Sequence, residues 1–183
     1  MGTKFSTRVW VSVVGIASIF FGSKGYADTV ISVADFGLKP DTRENAVAYV
    51  QKAIEACRGK EPVTLVFPEG RYDFWPQYAH EKNYYETNTY DVFPKRLAML
   101  FEGLHNITVD GNGSQFVMHD RIQPITVENC DGVTLKNFSI DWDIPLTAQA
   151  RVTKVGSDFF EIEINVLESP YIIEDGKLVF VGE

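Results

Sequence analysis

The segment Ile140-Asp141-Trp142-Asp143 sets two carboxylates at i and i+2 inside an apolar, β-forming run. On an extended strand such a pair shares one face, and two residues of rise separate the Cα atoms by roughly 6.6 Å. Hydrolysis of a glycosidic bond with inversion needs carboxyl groups roughly 6.5 to 9.5 Å apart, which leaves space for the attacking water. The spacing admits that chemistry without singling it out, because strands also carry acids at i and i+2 simply to keep an outer face wet. If Asp141 and Asp143 act as a pair, one of them needs a raised pKa, from its neighbour's charge or from desolvation against an aromatic wall. Trp142, between them, should turn to the opposite face and into a core.

Other reactive groupings are thinner. His80, His105 and His119 have no mutual spacing of a metal site and no cysteine beside them, so zinc is not indicated. Asp110-Gly111-Asn112-Gly113 has the opening of a calcium loop but lacks the remaining ligands, and a tight turn accounts for it. Asn106, Asn112 and Asn137 each begin an Asn-x-Ser/Thr sequon; at chain bends, where asparagine accepts left-handed geometry, structure alone explains them. There is no Gly-x-Ser-x-Gly and no phosphate-cradling loop. No metal and no organic cofactor is expected.

The elements that must hold these residues show themselves as a repeat. Phe101 to Val109 returns as Val127 to Leu135, an offset of 26 residues, in short β-branched runs punctuated by Gly, Asn and Asp. A period of that size marks one supersecondary unit stacked on the next. The units Leu97 to Asp120 and Ile122 to Asp143 each hold three strand-like pieces and no helix. That matches one turn of a right-handed parallel β-helix, a coil whose long flank suits extended polymers and glycans.

Upstream, Val33-Ala34-Asp35-Phe36-Gly37 reads as a short strand and turn, followed by an amphipathic helix over about 42–57. Ala46, Val47, Val50, Ala53, Ile54 and Cys57 share one face of it. Asp41 or Thr42 can cap its start, Glu44 suits the first turn, and Gly59 stops it. Laid across the first coil, this helix hides unpaired edges and an apolar end. Val63 to Phe67 then reads as a buried strand, with Pro68-Glu69-Gly70 turning into Arg71 to Phe74. From Trp75 to Lys95 the pattern lapses into a loop holding Trp75, Tyr78, Tyr84, Tyr85, Tyr90 and Phe93 among His80, Asn83, Asn88 and Asp91. Such rings either form a sugar-binding surface or pack the loop onto the coil.

Past Ala150 the register changes. Leu146 to Lys154, Phe159 to Val166 and Leu178 to Val181 read as strands, and the alternation in Phe160-Glu161-Ile162-Glu163-Ile164 with a turn at Gly156-Ser157-Asp158 suits an antiparallel hairpin. The expected organisation is a β-helix part over 28–149 and the start of a different β module over 150–183, truncated at Glu183. The chain therefore reads as the front piece of a longer protein.

The amino terminus reads as a signal peptide over residues 1–27. Lys4 and Arg8 precede an apolar run from Val9 to Gly22, too short for a membrane span of about 20 residues, and Gly25-Tyr26-Ala27 offers small residues to a signal peptidase. Export to the periplasm or outside the cell, with no stable membrane insertion afterwards, follows. With 45% hydrophobic residues the chain has ample material for a core. Loss of residues 1–27 leaves 14 of the 17 basic residues against 25 acidic ones, a net charge of −11, which argues against nucleic acid as a partner. Cys57 and Cys130 read as two buried thiols, not a bridge.

Val33 to Gly37 with the helix after it resembles the entry of pectin-lyase-like β-helix proteins. More narrowly, Tyr84 to Asn88, Pro94 to Ala98, the repeat and above all Leu135 to Thr147 resemble the exo-acting α-1,3-galactosidases of glycoside hydrolase family 110. That resemblance implies a β-helix carrying inserted antiparallel β-barrel modules. It also implies an inverting glycosidase that removes terminal α-1,3-linked galactose, from the blood group B determinant or from linear glycans, with a glycan bearing terminal α-galactose as its partner. Members are much longer than this chain, so their catalytic acids are expected beyond Glu183 and none is carried onto it. Asp141 and Asp143 stand as substrate-binding candidates, and the front piece alone should be inactive. A pectin-type lyase or polygalacturonase and a non-catalytic glycan-binding or adhesin solenoid are the alternatives; neither a cationic groove for a uronate nor any other cofactor-dependent chemistry shows in the sequence.

Overall fold

The structure, a computed structural model, describes residues 29–83, 85 and 93–182. The 1–27 segment read as a signal peptide lies outside them, as do Tyr84, Asn88, Tyr90 and Asp91 of the aromatic loop. The described residues are mainly β, with parallel sheets and a single α-helix.

Strands β1 (Thr29–Ser32), β2 (Val63–Val66), β6 (His105–Met118) and β8 (Asp131–Trp142) lie side by side in that order, all parallel. The second half of β6 also pairs with β3 (Arg71–Phe74), again parallel. A separate sheet joins β4 (His80–Lys82), β5 (Lys95–Glu102) and β7 (Gln123–Glu128), with β5 and β7 parallel. Each layer thus repeats the one before it. The column Ile31, Leu65, Val109, Leu135 runs through four layers by direct ladder pairing. Parallel strands bury both faces, and their β-branched and aromatic residues fill the space between sheets: Leu65, Phe67, Phe74, Met99, Phe101, Ile107 and Phe116 are fully buried.

The 26-residue sequence offset is the physical register. Phe101 pairs with Val127, and Ile107 with Val133. Past Asp110 the register slips, so that Met118 pairs with Trp142. The cause is the bend: one layer spends Gly111-Asn112-Gly113 on it, the next only Asn137. Asn106, Asn112 and Asn137 all sit at positive φ, 48°, 50° and 59°, as the bend reading requires. Asp110 closes the turn, its Oδ1 accepting from the Asn112 backbone N–H at 3.0 Å and from Asn137 Nδ2 at 2.9 Å.

Helix α1 (Val47–Cys57) packs against β1, β2 and β5 and buries Val47, Val50, Ala53, Ile54 and Cys57, the expected face. Two local expectations need correction. The helix begins at Val47, not near 42, and neither Asp41 nor Thr42 caps it. Asp41 Oδ1 instead accepts from the Arg71 N–H and the Asp41 N–H donates to the Arg71 carbonyl, both at 2.9 Å, while the Ala46 N–H bonds the Asp73 carbonyl. Those bonds to β3 hold 41–46 extended, and Asn45 Oδ1 takes over at the helix start by accepting from the Val47 N–H. Secondly, the first strand is Thr29–Ser32, and Val33–Phe36 is a 3-10 turn that Ser32 caps and Gly37 ends at φ 93°.

After Trp142 the pairing switches from parallel to antiparallel. β9 (Arg151–Val155) and β10 (Phe160–Glu163) form one hairpin, β11 (Tyr171–Glu174) and β12 (Lys177–Phe180) a second. No helix among the described residues is long and apolar enough to cross a membrane.

Candidate functional site

In-register stacking brings together groups far apart in sequence. β3 ends at Phe74, the described part of β6 at Met118 and β8 at Trp142, and these three are ladder partners. The ladder continues one residue further: the His119 N–H donates to the Phe74 carbonyl at 2.9 Å and the Asp143 N–H to the Met118 carbonyl at 3.0 Å. Trp75, His119 and Asp143 therefore occupy the same place on three successive layers. The indole of Trp75 lies flat on the imidazole of His119, centroids 3.9 Å apart and planes 9° apart.

Beside this column runs a buried polar network. His119 Nε2 is 2.8 Å from Asp73 Oδ1, and both side chains are almost wholly enclosed. Arg71 forks onto Asp73, its Nε donating to Oδ1 and Oδ2 at 3.1 and 3.0 Å and its Nη2 to Oδ1 at 2.6 Å. The same Nη2 reaches Asp143 Oδ1 at 2.6 Å, and the exposed Arg43 approaches that oxygen to 3.9 Å. Burial pushes the Asp73 carboxyl up, but the hydrogen bonds from Arg71 and His119 with their charges outweigh it and leave its pKa below the ordinary value. The hydrogen bond from Arg71 holds the Asp143 carboxyl down as well, against some desolvation. Asp73 in turn drives the Arg71 guanidinium further from deprotonation.

Oxygen and nitrogen atoms of Asp73, His119 and Asp143 come within 4.8 Å of one another, near enough to share a cation. The Arg71 guanidinium already bridges the two carboxylates, so the positive charge they need is supplied by the chain itself.

The two carboxylates singled out in sequence have separate surroundings. Asp143 joins the Arg71 network, whereas Asp141 is exposed and its Oδ1 accepts from the adjacent Trp142 N–H at 2.8 Å. Trp142 packs against the core, as alternation requires, and donates its indole N–H to the Asp120 carbonyl. Asp73, Arg71 and His119 were not singled out, although the ladder offsets bring them to Asp143. The signal was available in the unequal bends: allowing for the two extra residues at Gly111-Asn112-Gly113 aligns His119 with Asp143.

Of the loop aromatics, Trp75 packs on His119, Tyr78 is exposed, and exposed Tyr85 meets Phe93 edge-on at 5.3 Å. Part of the loop is a strand: β4 pairs antiparallel with β5, and Lys82 Nζ reaches Glu102 at 2.7 Å and Glu128 at 2.6 Å. Cys57 and Cys130 are both free; Cys57 is buried and Cys130 half-buried.

No protein-family model matches the chain. Individual relatives do. An alpha-1,3-galactosidase B of Bacteroides thetaiotaomicron is 61% identical over 157 residues, covering 86% of this chain and 26% of that protein. An alpha-1,3-galactosidase A of Shewanella woodyi is 37% identical over 84% of this chain and 25% of its own length. An alpha-1,3-galactosidase B of Phocaeicola vulgatus is 36% identical over 96% of this chain and 28% of its own. The chain spans about a quarter of the length of the curated relatives it matches. Identity at that level over most of its residues makes the chain a member of the alpha-1,3-galactosidase family.

Proposed function

We propose that the whole protein is an exported, inverting glycoside hydrolase that releases terminal α-1,3-linked galactose from glycans, of blood group B type or linear. The observation that carries this reading is the 61% identity to a protein named alpha-1,3-galactosidase B over 86% of the chain. On the same reading the parallel layers are the first coils of a right-handed parallel β-helix over 28–149, closed by α1, and the two hairpins begin an inserted antiparallel β-barrel module over 150–183. Residues 1–27 are the signal peptide, and the site of action is the periplasm or the exterior.

The chemistry is a single displacement. A carboxylic acid gives its proton to the glycosidic oxygen as the bond to the anomeric carbon breaks. Water attacks that carbon from the opposite face, and a second carboxylate takes the water's proton, so β-galactose leaves first. The scheme requires no metal or organic cofactor. Asp143 is unsuited to the acid's role, since the hydrogen bond from Arg71 keeps it ionised. An ionised carboxylate suits a different task, accepting hydrogen bonds from sugar hydroxyls. We therefore place the catalytic acids beyond Glu183 and assign Asp141 and Asp143 to substrate contact.

Proton NMR of the full-length protein acting on α-1,3-galactobiose, with a chelator present, tests this. Expected is galactose appearing first as the β-anomer. The α-anomer first would refute inversion, unsaturated uronate from pectin would make the protein a lyase, and binding without turnover would make it a glycan-binding solenoid. The 183-residue chain alone should show no hydrolysis; turnover by it would bring the catalytic acids inside this segment.

A further inference from the structure

The Trp75, His119, Asp143 column ends on an open flank of the stack. Asp143 is about one-third exposed and Arg43 beside it about two-thirds, while Asp73 and His119 behind them are closed off. Such a layering, an accessible pair braced by a buried network, is how a protein fixes polar atoms for a ligand. Asp143 Oδ1 is held by Arg71, which sets the plane of the carboxylate and turns its other oxygen to a fixed direction. Arg43 offers guanidinium N–H donors next to that acceptor. The flat indole of half-buried Trp75 is locked by its stacking on His119 and by Asn45, whose Oδ1 accepts the Trp75 N–H at 3.3 Å and whose Nδ2 donates to the Trp75 carbonyl at 3.4 Å.

Charge narrows the ligand. Arg43 and Arg71 balance Asp73 and Asp143, and Asp41 nearby is turned to the Arg71 backbone N–H at the Gly70 bend. A balanced cluster has little net field to draw in a sulfate, a uronate or a free cation. It does offer a donor and an acceptor side by side, the pattern that neighbouring hydroxyls of a pyranose need, and an aromatic surface for the sugar's apolar C–H groups. Arg43 also stands at φ 58°, in the left-handed region that arginine seldom adopts, so the fold spends backbone strain on presenting this side chain.

We propose that Arg43, Asp143 and Trp75 form a contact site for an uncharged pyranose unit of a glycan, kept in shape by Arg71, Asp73 and His119. The choice of a glycan rests on the galactosidase reading above, but the site's own existence is tested by binding, not by turnover.

The full-length protein is titrated with a sulfur-linked α-1,3-galactobiose, which glycosidases do not cleave, while the indole N–H signal of Trp75 is followed by NMR after assignment with Trp75→Phe. Expected is a saturable shift of that signal. In Arg43→Ala and Asp143→Asn the dissociation constant read at Trp75 should rise about ten-fold or more, as loss of a charge-assisted hydrogen bond requires. Arg43 is exposed, so its variant retains the fold, and an unchanged melting temperature verifies this. A Trp75 signal that never moves, or an affinity that neither variant alters, overturns the proposal. So does tighter binding of galacturonic acid than of the neutral sugar at the same signal. If the enzyme releases no galactose from the oxygen-linked disaccharide but the Trp75 titration succeeds, the activity reading fails and the site stands; the reverse result rejects the site alone.

Discussion

Ile107 and Val133 face each other across adjacent parallel strands, ladder partners 26 residues apart in sequence. Ile107 is fully enclosed between Val63 on the layer before and Val133 on the layer after. A stack of this kind makes each layer the lid of its neighbour, so a void in one is felt by both. Ile107→Ala should cost about 2 to 5 kcal/mol of stability. Denaturant unfolding of the full-length protein measures it, and a loss below about 1 kcal/mol would mean that the layers do not close on each other as described.

Asp73 is the pivot of the buried network, and its replacement tests whether the network is stabilising. Asp73→Asn leaves the Arg71 charge without its forked partner, and breaking a buried pair from one side costs about 3 to 5 kcal/mol. The pH dependence has a definite sign. Asp73 and Asp143 both have folded pKa values below the unfolded value of about 3.9, so their contribution is fully present above that pH and disappears as pH falls through the folded values. The difference in stability between wild type and Asp73→Asn should be constant from pH 5 to 7 and shrink below about pH 4. A difference that grows on acidification would contradict the network.

How much of this was legible beforehand depends on which physical signal wrote each element. The layer register was legible because Ile107 and Val133 carry a repeated apolar pattern, and the buried face of α1 because 3.6-residue spacing is a strong signal. The helix start was not: Asp41 and Thr42 look like caps, and only pairing of 41–46 with β3, a long-range event, diverts them. β11 and β12 flank Asp175-Gly176, at φ 50° and 73°, a hairpin dipeptide between apolar runs that could have revealed the Tyr171–Glu174 strand. At the candidate site Asp143 stood out because it lies close to Asp141, yet its partners Arg71, Asp73 and His119 lie up to 72 residues away. No local pattern links them; only the unequal bends at Asn112 and Asn137 do.

Those bends give another test. At Gly111 a Cβ would fall 2.5 Å from Phe138 Cβ and 2.8 Å from the Asn137 carbonyl oxygen, both on the next layer. The glycine is there because adjacent bends touch. Gly111→Ala must push β6 and β8 apart locally, and overpacking of this type costs about 1 to 3 kcal/mol. Thermal melting reads the loss. An unchanged melting temperature would show that the layers have room to spare at this corner.

Cys57 reports on whether α1 is seated over β1, β2 and β5. Its thiol is fully buried and donates to the Ala53 carbonyl at 3.2 Å, and burial pushes its pKa up to about 11. At pH 8 only about one thiol in a thousand is then ionised, and the thiolate is the reactive form. Half-buried Cys130, on the far side of the repeat, has no such enclosure. Iodoacetamide at pH 8 should therefore modify Cys130 first in the native protein, with Cys57 reacting only when denaturant lifts the helix. Mass spectrometry of the alkylated peptides distinguishes the two sites. Early modification of Cys57 would mean that α1 opens readily, and the apolar ends of β1, β2 and β5 beneath it would then be exposed along with it.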